Sequence, residues 1–282
     1  NPEHEQFYTA STTDGMNKME GLKSAASTFI EQVMAKNDLI ADENNKHHIS
    51  IVKFANDSIA EKIGNDNIAY SSENYTQIVN DFTDNKQKLK ENIDSLYFGG
   101  ATAADFGLDL AHAVIAGSSN SVSDQLTGSR DNAEKVVVFF TDGSPTHYNG
   151  FDRDVADDTI KNALELKNIG AKIYSVGVFE EETSEIVQYM EGVSSNYPQA
   201  QSYNSLGHKE SDKYYFTAVD PDDLKSIFEG IADEVTTGTL TADPDADAVL
   251  SDTLSEYFRF PEGLSAESDD IKVQFAAAES YD

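Results

Sequence analysis

Met19, Leu22, Ala26, Phe29, Ile30 and Val33 recur at spacings of three and four residues, which predicts a helix over 17–35. Ile49, Ile51, Val52 and Phe54 form a short β-rich run. Residues 58–63 and 68–71, separated by Gly64-Asn65-Asp66-Asn67, read as a hairpin at a sheet edge. Thr83 is placed to cap a helix carrying Leu89, Ile93 and Leu96. After the break at Gly99-Gly100, a second helix sets Leu108, Ala111, His112 and Ile115 on one face. A polar loop then runs over 117–130. The continuous apolar run 136–140 predicts a buried parallel strand, ended by Thr141-Asp142-Gly143-Ser144-Pro145. A helix over 152–169 turns Val155, Ile160, Ala163 and Leu164 inward and stops at Gly170. Strand 171–179, helix 181–190 and strand 214–219 follow. Asp220-Pro221 is a strong helix start, and Leu224, Ile227, Phe228 and Ile231 give that helix its core face.

Alternating strands and helices imply an α/β fold: a doubly wound, mostly parallel sheet with helices on both faces. Ligands of such sheets sit at the carboxyl ends of the strands. The first helix has no strand before it, and residues 1–16 read as too polar to supply one. The expectation is a sheet whose first central strand is missing from this chain. Losing a central strand leaves backbone groups unpaired on both neighbours, so the isolated chain is expected to be unstable unless another segment fills the gap. From residue 239 the character changes, and Ile271, Val273 and Phe275 alternate with polar residues. The expected organisation is one α/β domain over 1–237, followed over 238–282 by the start of an incomplete β-sandwich-like domain.

Charge narrows the function. Asp and Glu number 51 against 20 Lys and Arg, a formal net charge of −31. Such a surface repels nucleic acid and anionic membranes. There is no cysteine, so no disulfide or thiolate chemistry is available. No apolar run approaches the roughly 20 residues that a membrane helix needs. Dinucleotide, P-loop and nucleophile-elbow motifs are absent, and the expectation is that the chain is not an enzyme.

Two loops carry candidate chemistry: Gly99-Gly100-Ala101-Thr102-Ala103-Ala104-Asp105-Phe106-Gly107-Leu108 and Phe139-Phe140-Thr141-Asp142-Gly143-Ser144. Thr102 offers a hydroxyl and Asp142 a carboxylate, donors of the kind hard divalent cations prefer. Taken singly, Thr102 reads as an N-cap, Asp142 as a turn cap, Asp105 as a first-turn acid and Ser144 as a turn hydroxyl. In order and spacing the two loops resemble the von Willebrand factor A (VWA) family over roughly residues 15–236. The closest resemblance is to domains of Gram-positive surface proteins and pilus-tip adhesins.

The resemblance implies a metal-ion-dependent adhesion site with Thr102 and Asp142 as metal ligands and Ser144 in the outer shell. It further implies Mg²⁺, or Mn²⁺ or Ca²⁺, bridging to a carboxylate on an extracellular protein ligand. The implied setting is the bacterial cell surface. The family's Asp-x-Ser-x-Ser loop is absent, and Ser11-Thr12-Thr13-Asp14 does not match it. A complete metal site is therefore expected only where such a loop lies upstream. The alternatives are a structural VWA scaffold with a degenerate site, or an intracellular partner of an ATPase.

Overall fold

The structure is a computed structural model and describes residues 12–68, 73–179 and 182–237. The expected strand around Ile271, Val273 and Phe275 lies outside the described residues, as does the whole of the second unit into which the chain divides, Thr241–Asp282.

Helix α1 (Thr12–Asn37) is longer than its apolar stripe predicts. It leads through a single 3-10 turn to β1 (Ile49–Lys53), which pairs antiparallel with β2 (Gln77–Thr83). Then follow α2 (Lys86–Ser95), α3 (Ala104–Ala116), β3 (Lys135–Thr141), α4 (Arg153–Asn168), β4 (Ala171–Gly177), α5 (Ser184–Val193), β5 (Tyr215–Thr217) and α6 (Pro221–Thr237). Strands β3, β4 and β5 form a parallel three-stranded sheet in that order. The expected α/β architecture is present.

Helices cover both faces. On one, Ile30 and Val33 of α1, Leu89 of α2 and Leu224, Phe228 and Ile231 of α6 bury against Tyr174 and Val176 of β4. Phe29 and Phe228 meet edge to face with centroids 6.2 Å apart. On the other, Leu108 of α3, Ile160 and Ala163 of α4, and Tyr189 and Met190 of α5 bury against Phe139 and Ile173. Ile173 and Tyr174, adjacent in β4, thus serve opposite layers, as the two-residue period of a strand requires.

Two elements differ from expectation. The hairpin over 58–63 and 68–71 is not formed by the described part of that segment, which contributes only isolated bridges, Ile59 to Thr76 and Asn67 to Asn74. The edge strand is β2 instead. Its sequence looks polar because Gln77 and Asn80 are buried with their amides hydrogen-bonded. Gln77 Nε2 donates to Lys62 O (2.9 Å) and Asp66 Oδ2 (2.8 Å), and Gln77 Oε1 accepts from Asp66 N (2.8 Å). Asn80 Nδ2 donates to Ile49 O across the pair (3.2 Å). The cap of α2 is also displaced: Asn85, not Thr83, accepts from Lys88 N at 2.9 Å.

Strands β1 and β3 share no bridge among the described residues, so the sheet falls into β2-β1 and β3-β4-β5. Their side chains nonetheless belong to common layers. Ile49 and Ile51 pack into the same cluster as Val136, Val138 and Phe140, and Phe54 stacks on Phe139 at 5.4 Å and 12° on the other face. Despite its wholly apolar run, β3 buries only Phe139 and Thr141 fully.

The loop after α3 is less polar in role than in sequence. Val122 and Leu126 are buried with Ile78, Leu110 and Val114 in a third apolar cluster. Gly117 (φ +72°) and Gly128 (φ +77°) close the loop's neck, and a Cβ on either would lie within about 3.1 Å of the other's backbone.

Candidate functional site

Three loops are tied together at the carboxyl ends of β1 and β3. Thr102 and Thr146 exchange two backbone hydrogen bonds, at 3.0 and 3.1 Å. Ala103 N donates to Ala55 O just beyond β1, at 2.8 Å. The buried Asn74 holds the incoming segment by donating to Tyr97 O (3.0 Å) and Gly99 O (3.4 Å). Gly100 needs its glycine: φ is +101° and a Cβ would stand 3.2 Å from that of Ala55.

The turn after β3 is built on Thr141, whose hydroxyl accepts from Gly143 N (3.2 Å) and donates to Gly143 O (3.0 Å). It leaves the Asp142 side chain 52% exposed. A Cβ on Gly143 would lie 2.6 Å from Thr102 Oγ1, so the Thr102 hydroxyl rests directly against this turn. The N-cap reading of Thr102 is not realised: Ala103 occupies the N-cap of α3, with no side-chain cap bond. The loops that carry the two residues singled out in sequence are therefore in contact. Ser144 lies beside them, lining a cleft of about 430 Å³ with Asp142, Phe151, Phe179, Thr183 and Glu185.

Sequence reasoning missed the next contributor. Lys18 of α1 lines the same cleft, with its side chain only 14% exposed and Nζ 3.9 Å from Asp142 Oδ2. No apolar periodicity flags it, because it lies off the stripe that made α1 legible. A second missed pair stands behind the clamp. Asp105 lies in the first turn of α3 as expected, and it is buried at 5% exposure. His147 Nε2 reaches both its carboxylate oxygens at 3.1 Å. A carboxylate only accepts, so Nε2 carries the proton. The His147 ring also stacks on Phe106 at 5.2 Å, and Asn162 Nδ2 donates to Asp105 O at 2.8 Å.

The von Willebrand factor type A domain family matches residues 13–230. The chain belongs to this family. No curated protein matches it. Among solved structures, this VWA domain is similar to the pilus adhesin SpaC from Lactobacillus rhamnosus GG. The TM-score is 0.53 at 13% identity, over 79% of this chain and 28% of that one. The open conformation of SpaC gives 0.52 at the same identity and coverage. The VWA domain of the type V pilus tip protein Mfa5 from Porphyromonas gingivalis gives 0.48 at 15% identity, over 81% of this chain and 91% of that one. The chain thus spans under a third of the length of SpaC.

VWA membership raises the question of a divalent ion at Thr102 and Asp142. The described side chains bring one carboxylate and the hydroxyls of Thr102 and Ser144 to the place. Among the described residues no group of three or more Asp, Glu or His is placed to hold a metal ion. Against the single carboxylate stands an ammonium. A divalent ion bound to Asp142 would lie within about 6 Å of Lys18 Nζ, a repulsion on the order of 5 kcal/mol at an effective dielectric of about 20. Mg²⁺-type ions want a full shell of oxygens. The described side chains alone do not complete a shell for a divalent ion.

Proposed function

We propose that this VWA domain is the protein-binding module of an extracellular pilus or surface assembly, taking its ligand at the cleft beside Thr102, Asp142 and Ser144. The Thr102–Thr146 clamp carries this reading, because it gathers those side chains at the strand ends where α/β sheets bind ligands. Phe98, 51% exposed, and Tyr148, 81% exposed, stand four residues before Thr102 and two after Thr146. Exposed aromatics at the edge of a polar site are the residues that anchor protein partners. The likeness in fold to a pilus adhesin supports the setting. No helix among the described residues is long and apolar enough to cross a membrane.

Apolar walls from Phe151 and Phe179, with polar groups at the mouth, suit a side chain with an apolar stem and a charged tip. We assign the tip as a carboxylate. Because the chain carries −31, the ligand is an acidic residue within a neutral or basic segment.

The test is an array of immobilised peptides, each displaying one Asp or Glu between apolar and basic residues, beside Asn and Gln counterparts. Expected is retention of the acids over the amides. Ser144→Trp, which fills the cleft, should lose that retention without changing the melting temperature. Equal binding by Ser144→Trp and the parent chain would refute the location.

A further inference from the structure

We propose that Asn149-Gly150 is a site of spontaneous covalent modification, where the chain converts a neutral amide beside its cleft into a carboxylate. The consequence for binding rests on the reading of the cleft as a carboxylate-binding site; the modification itself does not.

The loop over 146–152 is fixed at its base and open at its tip. Thr146 is held by its backbone pair with Thr102, Asp152 N donates to Pro145 O at 2.8 Å, and Tyr148 N donates to Thr146 Oγ1 at 3.0 Å. Beyond these ties Tyr148, Asn149 and Gly150 are all exposed. Among the described residues neither Asn149 nor Gly150 takes a hydrogen bond, so the side-chain amide and the Gly150 N–H both face water. Gly150 has no side chain to shield its nitrogen, and nothing lies within 4 Å of the place of a Cβ. Asn149-Gly150 is also the single Asn-Gly step of the chain. The Asn-Ser steps at 120–121 and 204–205 are placed differently. Ser121 N is engaged by Ser119 Oγ at 3.0 Å, and Ser205 N by Ser202 O at 3.0 Å. An engaged N–H must give up its partner before the nitrogen can attack.

The chemistry needs only water. Gly150 N, losing its proton to a base of the solvent, attacks Asn149 Cγ. A C–N bond forms, the Cγ–Nδ2 bond breaks, and ammonia leaves with a proton, closing a five-membered imide. Water then opens the imide at either carbonyl. One opening gives an aspartyl residue, the other an isoaspartyl residue whose backbone runs through the β-carbon. Nothing is oxidised or reduced. Either product places a negative charge two residues before Phe151, a wall of the cleft, and beside Tyr148. The isoaspartyl product also lengthens a loop whose two ends are tied. A ligand carboxylate then approaches a like charge, so acidic-peptide retention declines as the protein ages.

The whole chain is aged in warm, mildly alkaline buffer, beside Asn149→Gln and Asn149→Asp. Intact mass and a peptide map that separates aspartyl from isoaspartyl products follow the modification. Glutamine would have to close a larger ring and is the unreactive control. Expected is conversion at Asn149 ahead of every other asparagine, with isoaspartyl in excess, and none at this step in Asn149→Gln. Retention of acidic peptides should fall severalfold on ageing in the parent and from the outset in Asn149→Asp, and hold in aged Asn149→Gln. A chain that stays unmodified, or reacts first at another asparagine, overturns the site. Full conversion with undiminished retention overturns its bearing on the cleft. A fresh parent chain that does not prefer acids over amides refutes the cleft reading, and the modification is then decided by the peptide map alone.

Discussion

Removing His147 should cost this domain more stability than its partial exposure suggests. The Asp105 side chain is 7% exposed and both its carboxylate oxygens face His147 Nε2 at 3.1 Å. In His147→Ala the carboxylate keeps its burial and loses that donor. Breaking a fully buried charged pair costs about 3–5 kcal/mol. The His147 side chain is 25% exposed, so water enters the space it leaves and the cost falls toward the roughly 1–3 kcal/mol of an unsatisfied buried group. Losing the stack on Phe106 adds about 0.5–1.5 kcal/mol. The total is roughly 2–4 kcal/mol, or roughly 5–15 °C in melting temperature for a domain of this size. Urea unfolding followed by circular dichroism measures it. Adding Asp105→Ala to His147→Ala should return part of the loss, because the unpaired carboxylate is gone; the cycle then shows coupling rather than additivity. A His147→Ala chain within about 0.5 kcal/mol of the parent, or strictly additive single changes, would show that the pair does not hold the clamp.

Other expectations are quickly checked. Gly143→Val puts carbon 2.6 Å from Thr102 Oγ1, so it should displace that hydroxyl and weaken acidic-peptide retention severalfold while the domain stays folded by circular dichroism; unchanged retention would free Thr102 of any role. Burial pushes the Lys167 ammonium down to about 7, with Nζ donating to Gly192 O and Tyr197 O. The folded state therefore binds fewer protons than the unfolded one between that value and the ordinary lysine range. The burial cost is fully present below pH 7 and is relieved as pH rises, so stability contributed through this group increases from pH 7 to pH 10. Comparing urea midpoints at several pH values, Lys167→Met should flatten that slope; parallel profiles would contradict the burial argument. Gln77→Leu raises strand propensity yet should destabilise by about 1–3 kcal/mol in urea, since Lys62 O and Asp66 N lose their partners. A stabilised Gln77→Leu chain would mean those groups find water.

That last variant also marks where the sequence stopped being readable. Helices α4 and α6 announce themselves, because Asp152 and Asp220-Pro221 cap them and their apolar residues keep a 3.6-residue period. Strand β2 does not, because all but one of the partners of its buried amides lie 11 to 31 positions away, and no local pattern encodes such partners. The candidate site divides in the same way. Thr102 and Asp142 sit in loops whose glycines and flanking strand are local signals. Lys18 reaches Asp142 across more than a hundred residues, and Asp105 meets His147 only because Thr102 and Thr146 pair. Long-range polar contacts are what the linear chain conceals.

The two glycines at the neck of the loop after α3 bear on how this chain can change over generations. Each is required twice, by its own positive φ and by the backbone of the other, so neither position can be repaired by a second substitution at its partner. Between them Val122 and Leu126 must stay apolar to seal their cluster, while Ser123 and Asp124 are hydrogen-bonded to the backbone of Glu61 and Ile63 and Thr127 to the Asp81 carboxylate. The loop is thus a strap with a fixed clasp, riveted along its length to the edge of the fold, so a change within it is felt by the strand beneath.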